Sequence, residues 1–254
     1  MWITGHHPVE EILSSREQKP RKVLLSDAVP DKVRDFLAAK AEAAGIPCLS
    51  CPREEWHRRT GEKEGAGFAA EIPEFRYAGL SSWLGSLPER TGAFLLDGIT
   101  DPHNLGTILR NTRAFGLSGV VVPRDRSCPV TSAVFRASAG AAAHVPVVQV
   151  KNLARAVGDL QEAGFWIYAA VADGENDLSA FAPARRTGFV LGNEETGVRR
   201  LVRETCDGTV RISMEAGIDS LNVGVTSGIL AYFTCTLQRT RDPSRRTSGP
   251  FDTR

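Results

Sequence analysis

The sequence predicts an α/β protein with a parallel sheet covered by helices on both faces and a small α/β module before it. From residue 93 onward, short runs of apolar residues alternate with helical patterns, as buried parallel strands do. The preceding residues show the same alternation in shorter form. Of the 254 residues, 42% are hydrophobic and 24% charged, which is ordinary globular usage and sufficient for a sizeable core.

The amino-terminal module is predicted to contain three strands and two helices. Val33, Phe36 and Leu37 recur at helical spacing in the first helix, and Gly45 follows where a left-handed glycine commonly ends one. The predicted strands span 23–25, 46–50 and 66–72, and the helices span 32–44 and 53–60. Residues 76–92 are rich in Gly, Ser and Pro and are interpreted as a linker with a short helix near Trp83.

The second part is predicted to contain six strands and four helices. Asp101 followed by Pro102 is a strong helix start, and Gly116 marks the end of that helix. The strands are predicted at 93–97, 119–122, 145–148, 166–171, 188–192 and 210–212, and the helices at 102–115, 130–142, 152–163 and 221–238. The pattern predicts a first domain over 1–75, the linker over 76–92, a second domain over 93–240 and a disordered tail over 241–254.

Charge and cysteine content exclude several classes of protein. Thirty-one Lys and Arg balance 30 Asp and Glu, so a nucleic-acid partner must be bound by local patches. Five cysteines argue against a closed disulfide framework. Cys48 and Cys51 have the spacing of a zinc or redox pair, but only His57 is near them, and they are interpreted as core residues of a strand. We therefore expect no metal.

No stretch reaches the roughly 18 consecutive apolar residues of a membrane span. The first residues also lack the basic and then apolar run of a signal peptide. We therefore expect a cytoplasmic protein without a membrane partner.

Three loops that follow predicted strands contain candidate functional residues, because ligands of parallel sheets bind beyond the carboxyl ends of the strands. Asn104 and Arg110 follow the first strand, outside the predicted packed face of their helix; a helix cap and a solvated arginine are the alternative. Glu194 follows the fifth strand, where a carboxylate can bind a ribose or favour a helix N-terminus. Ser220 and Asn222 lie just before the small-residue segment 223–229 of the last helix, where a simple N-cap is the alternative.

Together these loops resemble motifs 1, 2 and 3 of the SPOUT class of methyltransferases, specifically the TrmH-like ribose 2′-O-methyltransferases. The motifs are DGITDPHNLGTILRNTRAFG (97–116), LGNEETGVRRLVRETCD (191–207) and ISMEAGIDSLNVGVTSGI (212–229). The amino-terminal module is similar, less closely, to the ribosomal-protein-like RNA-binding domain of the 23S rRNA guanosine methyltransferase branch. Gly224 stands where Ser is common in the family, and Glu195 and Thr196 also depart from its usual pattern.

The resemblance implies a deep trefoil knot, a homodimer with each site near the subunit interface, and S-adenosyl-L-methionine as cofactor. It implies a catalytic set of Arg110, Asn104, Glu194, Ser220 and Asn222. It implies cofactor binding by Leu191, Gly192, Asn193, Gly197, Ile212, Met214 and Leu221. Arg110 is the implied general base, but a guanidinium is almost always protonated, so stabilising a phosphate or a developing alkoxide is the alternative.

The implied activity is methylation of a ribose 2′-hydroxyl in RNA, at a guanosine of 23S rRNA. Methylation of tRNA or of the thiostrepton site of rRNA is an alternative within the same class. A non-catalytic, knotted RNA-binding or ribosome-assembly module is the alternative from a different class. The appended module favours rRNA, and the complete set of motif residues favours catalysis.

Overall fold

The computed structural model describes residues 1–62, 67–215 and 220–241, with side chains up to residue 236. The predicted tail over 241–254 lies outside these residues except for Arg241. The described chain forms two sheets, one of four strands and one of seven. No described helix is long and apolar enough to cross a membrane.

The four-stranded sheet lies in the amino-terminal module, with strand order β1-β4-β2-β3. Strands β2 and β3 are parallel, and the other two pairs are antiparallel. The elements are β1 (Trp2–Thr4), α1 (His6–Leu13), β2 (Lys22–Ser26), α2 (Asp31–Ala43), β3 (Cys48–Cys51), α3 (Arg53–Thr60) and β4 (Phe68–Glu71). The predicted strands and helices of the module are present, and β1 and α1 were missed.

The seven-stranded sheet is parallel throughout, which confirms the predicted fold class. Its strands are β5 (Thr91–Asp97), β6 (Gly119–Pro123), β7 (Val147–Val150), β8 (Phe165–Ala170), β9 (Asn176–Asp177), β10 (Arg186–Gly192) and β11 (Gly208–Arg211). Their order is β7-β6-β5-β10-β8-β11-β9. The helices are α4 (Leu80–Gly85), α5 (Pro102–Phe115), α6 (Ser132–Ala137), α7 (Leu153–Glu162), α8 (Arg200–Thr205) and α9 (Val223–Arg241).

Helix α5 begins and ends at the predicted residues, because Asp101 caps its N-terminus and Gly116 ends its C-terminus. The Asp101 carboxylate accepts a hydrogen bond from the backbone N–H of His103 at 3.1 Å, and Pro102 occupies the first turn. Gly116 ends the helix in the left-handed conformation, with φ of 72°.

The predicted helix over 130–142 was wrong, since the chain forms α6 and then a short 3-10 helix at Ala141–Ala143. Ala139 and Gly140 have positive φ angles of 49° and 87°, which end α6. A Cβ atom on Gly140 would lie 2.6 Å from Cβ of Glu11 in α1. The break therefore allows α1 to pack closely against the second sheet's helices.

The two modules share contacts that join them into one body. A single cluster of buried apolar residues includes Val9 and Ile12 of α1 and Phe135 of α6. Glu11 pairs with Arg113 of α5 at 2.6 Å. Between the modules, Ala78 forms a parallel bridge with Val148 at the edge of the large sheet. The intervening residues are thus packed against the sheet.

Candidate functional site

A cavity of about 360 Å³ lies at the carboxyl edge of the large sheet, where β8, β10 and β11 end next to the start of α9. This is the size range of small-molecule and cofactor sites. All seven residues predicted to bind the cofactor line it: Leu191, Gly192, Asn193, Gly197, Ile212, Met214 and Leu221. Glu194 and Ser220 of the predicted catalytic set also line it.

The loop after β10 forms one wall of the cavity, and hydrogen bonds of the Asn193 side chain hold this loop in place. The side-chain oxygen of Asn193 accepts a hydrogen bond from the backbone N–H of Glu195 at 2.9 Å, and its amide donates to the carbonyl of Gly98 at 2.9 Å. A Cβ atom on Gly192 would lie 2.2 Å from the carbonyl carbon of Gly197. Glycine at position 192 is therefore required for the chain to fold back over the strand end.

The far end of this loop is held by a buried ion pair that the sequence reasoning missed. The Asp97 side chain has no exposed surface, and the Arg199 side chain is about half exposed. The carboxylate accepts hydrogen bonds from Nε of Arg199 at 2.7 Å and from its backbone N–H at 2.8 Å. Asp97 ends β5 and Arg199 occupies the N-cap position of α8, so this pair ties the far end of the loop to the end of β5. The sequence signal that could have indicated this ion pair is Asp97 itself, a carboxylate at the end of a buried strand.

Three predicted catalytic residues form a hydrogen-bonded network at the cavity. The amide of Asn104 donates to the carboxylate of Glu194. The amide of Asn222 donates to Oδ1 of Asn104 at 3.0 Å and to Oε1 of Glu194 at 3.3 Å. Asn222 also accepts from the backbone N–H of Gly224 at 2.9 Å and so caps α9. The network joins residues that follow β5, β10 and β11, one from each of the three motifs.

Asn104 and Arg110 occupy different environments on α5. Asn104 is 7% exposed, because Glu194 and Asn222 cover it. Arg110 is exposed and is not among the residues that line the cavity. Within the described part of the chain it forms no ion pair. The fold therefore brings four of the five predicted catalytic residues together and leaves Arg110 apart.

The cavity rim includes residues that were not predicted, among them Asp173, Arg203 and Thr226. Arg203 binds Asp173 at 3.0 Å, and this hydrogen bond lowers the pKa of the Asp173 carboxyl. Asp173 lies in the turn after β8, a strand without a recognised motif, so the sequence offered no signal for it. Among the described residues, the His6, His7 and Glu10 group could hold a metal ion, and it does not line the cavity.

The fold and the site define an α/β protein that binds a small molecule at the carboxyl edge of a parallel sheet, beside a network of amide and carboxylate groups. The SpoU rRNA Methylase family matches residues 93–232. A second family, described as RNA 2′-O ribose methyltransferase substrate binding, matches residues 2–78. The chain belongs to the SpoU rRNA methylase family, whose members methylate RNA, and this confirms the resemblance drawn from the three motifs.

Curated relatives match nearly the whole chain. The 23S rRNA (guanosine-2′-O-)-methyltransferase RlmB of Nitrosomonas europaea is 36% identical over 249 residues, covering 98% of this chain and 94% of the relative. A putative TrmH family tRNA/rRNA methyltransferase of Staphylococcus haemolyticus is 32% identical and covers 91% of this chain and 93% of the relative.

Solved structures show the same fold at lower identity. The SpoU methyltransferase AviRb of Streptomyces viridochromogenes, in complex with AdoMet, has a TM-score of 0.77 at 21% identity and covers 94% of this chain and 91% of its own. An rRNA methyltransferase of Sinorhizobium meliloti has a TM-score of 0.77 at 22% identity, covering 95% and 87%.

Proposed function

We propose that this protein transfers a methyl group from S-adenosyl-L-methionine to the 2′-hydroxyl of a guanosine ribose in 23S rRNA. One observation carries the proposal: the Asn104, Glu194 and Asn222 network joins the three motif loops at a cavity lined by every predicted cofactor residue. The full-length relatives named as 23S rRNA guanosine methyltransferases favour that substrate over tRNA or the thiostrepton site. With rRNA as its substrate, we propose that the protein acts in the cytoplasm.

The residues of the cavity fit the cofactor. Leu191, Ile212 and Leu221 provide apolar walls for an adenine ring, and the loop that starts at Gly192 provides backbone polar groups. The cavity is also lined by carboxylates of Asp173 and Glu194, which suit a cation such as a sulfonium. When bound, S-adenosylmethionine supplies the electrophilic methyl group, and the protein positions the acceptor hydroxyl.

We assign the protein groups separate roles in this reaction. Asn104 and Asn222 orient the Glu194 carboxylate, which can accept a hydrogen bond from a ribose hydroxyl. Ser220 lies at the cavity and offers a hydroxyl to the RNA. Arg110 either accepts the hydroxyl proton or, as a cation, stabilises the developing alkoxide. Because Arg110 is exposed and outside the cavity, either role requires the RNA or a second protomer to reach it.

We propose that the protein is a homodimer and that the face formed by α5 and α9 is its interface. Val225 and Tyr232 lie two turns apart on α9 and are 52% and 60% exposed, which is unusual for apolar side chains in a monomer. The ring of Tyr232 also contacts Phe115 of α5, so the exposed apolar surface extends across both helices. Arg110 lies on α5, so this dimer would bring it close to the interface. Sedimentation of the wild type and of Tyr232→Glu tests the proposal; a monomeric wild type contradicts it.

We propose the deep trefoil knot for the segment after β11. Strand β11 lies beyond β8, but α9 packs against α5 and β5 on the other side of β10. The chain between them must cross back over the carboxyl edge, where the loop after β10 is folded over its own strand end. Residues 216–219 lie outside the described residues. An experimental structure traced through them shows whether the chain threads a loop.

We also propose that residues 1–75 bind the RNA and that residues 93–240 form the catalytic domain. The substrate-binding match over 2–78 and the methylase match over 93–232 support this division.

The function is tested by incubating the purified protein and labelled S-adenosylmethionine with unmodified transcripts of 23S rRNA and tRNA. We expect label in 23S rRNA, and 2′-O-methylguanosine on nucleoside mass spectrometry. Asn104→Ala, which removes one amide from the network, should lose most of this activity and remain folded. Label in tRNA alone supports the alternative substrate. RNA binding without any methyl transfer supports the non-catalytic alternative and contradicts the proposal.

A further inference from the structure

A solvent-exposed aromatic ring with two lysines on the same helical stripe lies on the amino-terminal module. Phe36 of α2 is 44% exposed, whereas Leu37 and Ala41 of the same helix are buried. Lys32 and Lys40 lie four residues before and four residues after Phe36, so all three share one face of the helix. Nζ of Lys40 is 5.0 Å from the centre of the Phe36 ring.

Further groups border the ring on the side of α1. The His6 ring centre is 6.3 Å from that of Phe36 and 5.2 Å from that of His7, which is exposed. Glu10 binds Lys40 at 2.6 Å and fixes its side chain near the ring. Lys32 is exposed and forms no ion pair within the described ranges, so its charge is open to a ligand.

Resting on the proposed function, we propose that Phe36 is a stacking platform for an unpaired base of the RNA substrate, with Lys32 holding a neighbouring phosphate and Lys40, fixed by Glu10, lying beside the ring. We call Phe36, Lys32 and Lys40 the α2 platform. Single-stranded RNA is commonly bound by bases stacked on exposed Phe or His rings, while Lys and Arg neutralise the backbone.

The charges around Phe36 favour RNA over a protein partner. A protein-docking surface needs a contiguous apolar patch, but the stripe neighbours of Phe36 are both lysines. Lysine is also scarce in this chain, which uses arginine for most of its positive charge. An exposed ring with the open charge of Lys32 one turn away therefore matches a base and its neighbouring phosphate in a single strand.

The module contains a matched control residue. Leu49 of β3 is 42% exposed, close to the value for Phe36. It pairs in register with Leu24, which packs with Trp56 of α3 on the face of the sheet opposite α2. Leu49→Ala therefore removes a similar exposed apolar side chain away from the α2 platform.

The test measures affinity of the full-length protein for a fluorescein-labelled single-stranded RNA of about ten nucleotides, within the site sizes typical of stacking grooves. Phe36→Ala should weaken binding about 5- to 100-fold, as expected for the loss of one stacked base. Phe36→Trp should restore it to within about threefold, because a larger π-face replaces the lost one. Phe36→Leu should remain weak, and Leu49→Ala should match the wild type.

The salt dependence of RNA affinity distinguishes the contribution of the Phe36 ring from that of the Lys32 charge. Lys32→Gln should reduce the slope of log affinity against log salt by about 0.7, since one phosphate contact is lost, while Phe36→Ala leaves the slope unchanged. With a 23S rRNA transcript, Phe36→Ala should raise KM for RNA without changing cofactor affinity or kcat at saturating RNA.

The possible failures are distinguishable. A wild type that binds no RNA and transfers no methyl group contradicts the proposed function itself. A wild type that methylates RNA, with Phe36→Ala or Phe36→Leu as tight as wild type, overturns the α2 platform and leaves the function standing. Equal weakening by Leu49→Ala also overturns it, because the effect would not depend on the α2 face.

Discussion

Replacing Asp97 with asparagine tests whether its buried ion pair with Arg199 holds the cofactor cavity in shape. The carboxylate accepts hydrogen bonds from both the backbone and the guanidinium of Arg199, and Asp97 pairs in register with Gly192, where the loop starts. Asparagine has nearly the same size, so the substitution removes the charge and one acceptor without opening a cavity. We expect the loop to lose its anchor at Arg199 and cofactor affinity to fall.

The size of the effect follows from the bonds lost. The side-chain oxygen of asparagine can still accept the hydrogen bond from the backbone N–H of Arg199. Its NH2 group then faces the guanidinium, so the two charge-assisted contacts from Nε and Nη2 of Arg199 are lost. Hydrogen bonds to charged groups contribute about 1.5–3 kcal/mol each. The Arg199 side chain is 49% exposed, so hydrogen bonds from water to its guanidinium offset part of the lost free energy. A net cost of about 1.5–3 kcal/mol, confined to the loop, corresponds to roughly a 10- to 100-fold weaker cofactor affinity.

The assay is calorimetric titration with S-adenosylhomocysteine, accompanied by thermal unfolding. Thr91→Val is the matched control, because Thr91 is a buried polar residue at the opposite end of β5, 2% exposed and bonded to Ser118. It should lower the Tm and leave cofactor affinity unchanged. If Asp97→Asn lowers the Tm but binds the product within twofold of wild type, the pair stabilises the core only and does not position the cavity wall.

Three further predictions concern groups outside the cavity. Arg110→Lys should lose nearly as much single-turnover activity as Arg110→Ala, on the order of 10² or more in kcat, with cofactor affinity unchanged, because a lysine lacks the guanidinium fork. Near-wild-type turnover in Arg110→Ala would remove Arg110 from the mechanism. Burial raises the pKa of Glu11, but Arg113 and His144 outweigh it and leave the pKa below the ordinary 4.5. The stabilisation by Glu11 is therefore complete above about pH 4.5 and is lost as the pH falls through the lowered value, so the Tm difference between wild type and Glu11→Gln should shrink in acid. Burial raises the pKa of Cys206 to about 12, so iodoacetamide at pH 8 should leave Cys206 unmodified in the folded protein, as peptide mass spectrometry would show.

The sequence predicted the elements whose signals are local. Helix α5 was bounded correctly because its cap, first-turn proline and terminal glycine lie within the chain segment that forms it. The strands of the parallel sheet were found because burial on both faces makes each a continuous apolar run. Helix α1 was missed although Pro8, Val9, Ile12 and Leu13 have helical spacing, since Gly5 offers no side-chain cap.

Features set by distant residues could not be predicted from local pattern. The break after α6 depends on the approach of Glu11, more than a hundred residues earlier in the chain. Asp97 and Arg199 are 102 residues apart in the chain. The sequence around each residue contains no pattern that identifies the other as its partner. The candidate site was predictable to the extent that its three loops form recognisable motifs. Asp173 lies in none of them and was missed.

Helix α5 connects the parts of the proposed reaction in a fixed geometry. Asn104, near its start, belongs to the network at the cavity, and Arg113, near its end, binds Glu11 of the amino-terminal module. The rise of an α-helix places these two positions about 14 Å apart along its axis. Arg110 lies between them, one turn from Arg113, and its side chain is exposed. An RNA strand held by the module and entering the cavity would therefore run beside α5, within reach of Arg110. On the proposed path the exposure of Arg110 is consistent with the proposed catalytic role, because the residue would face the RNA and not the cofactor.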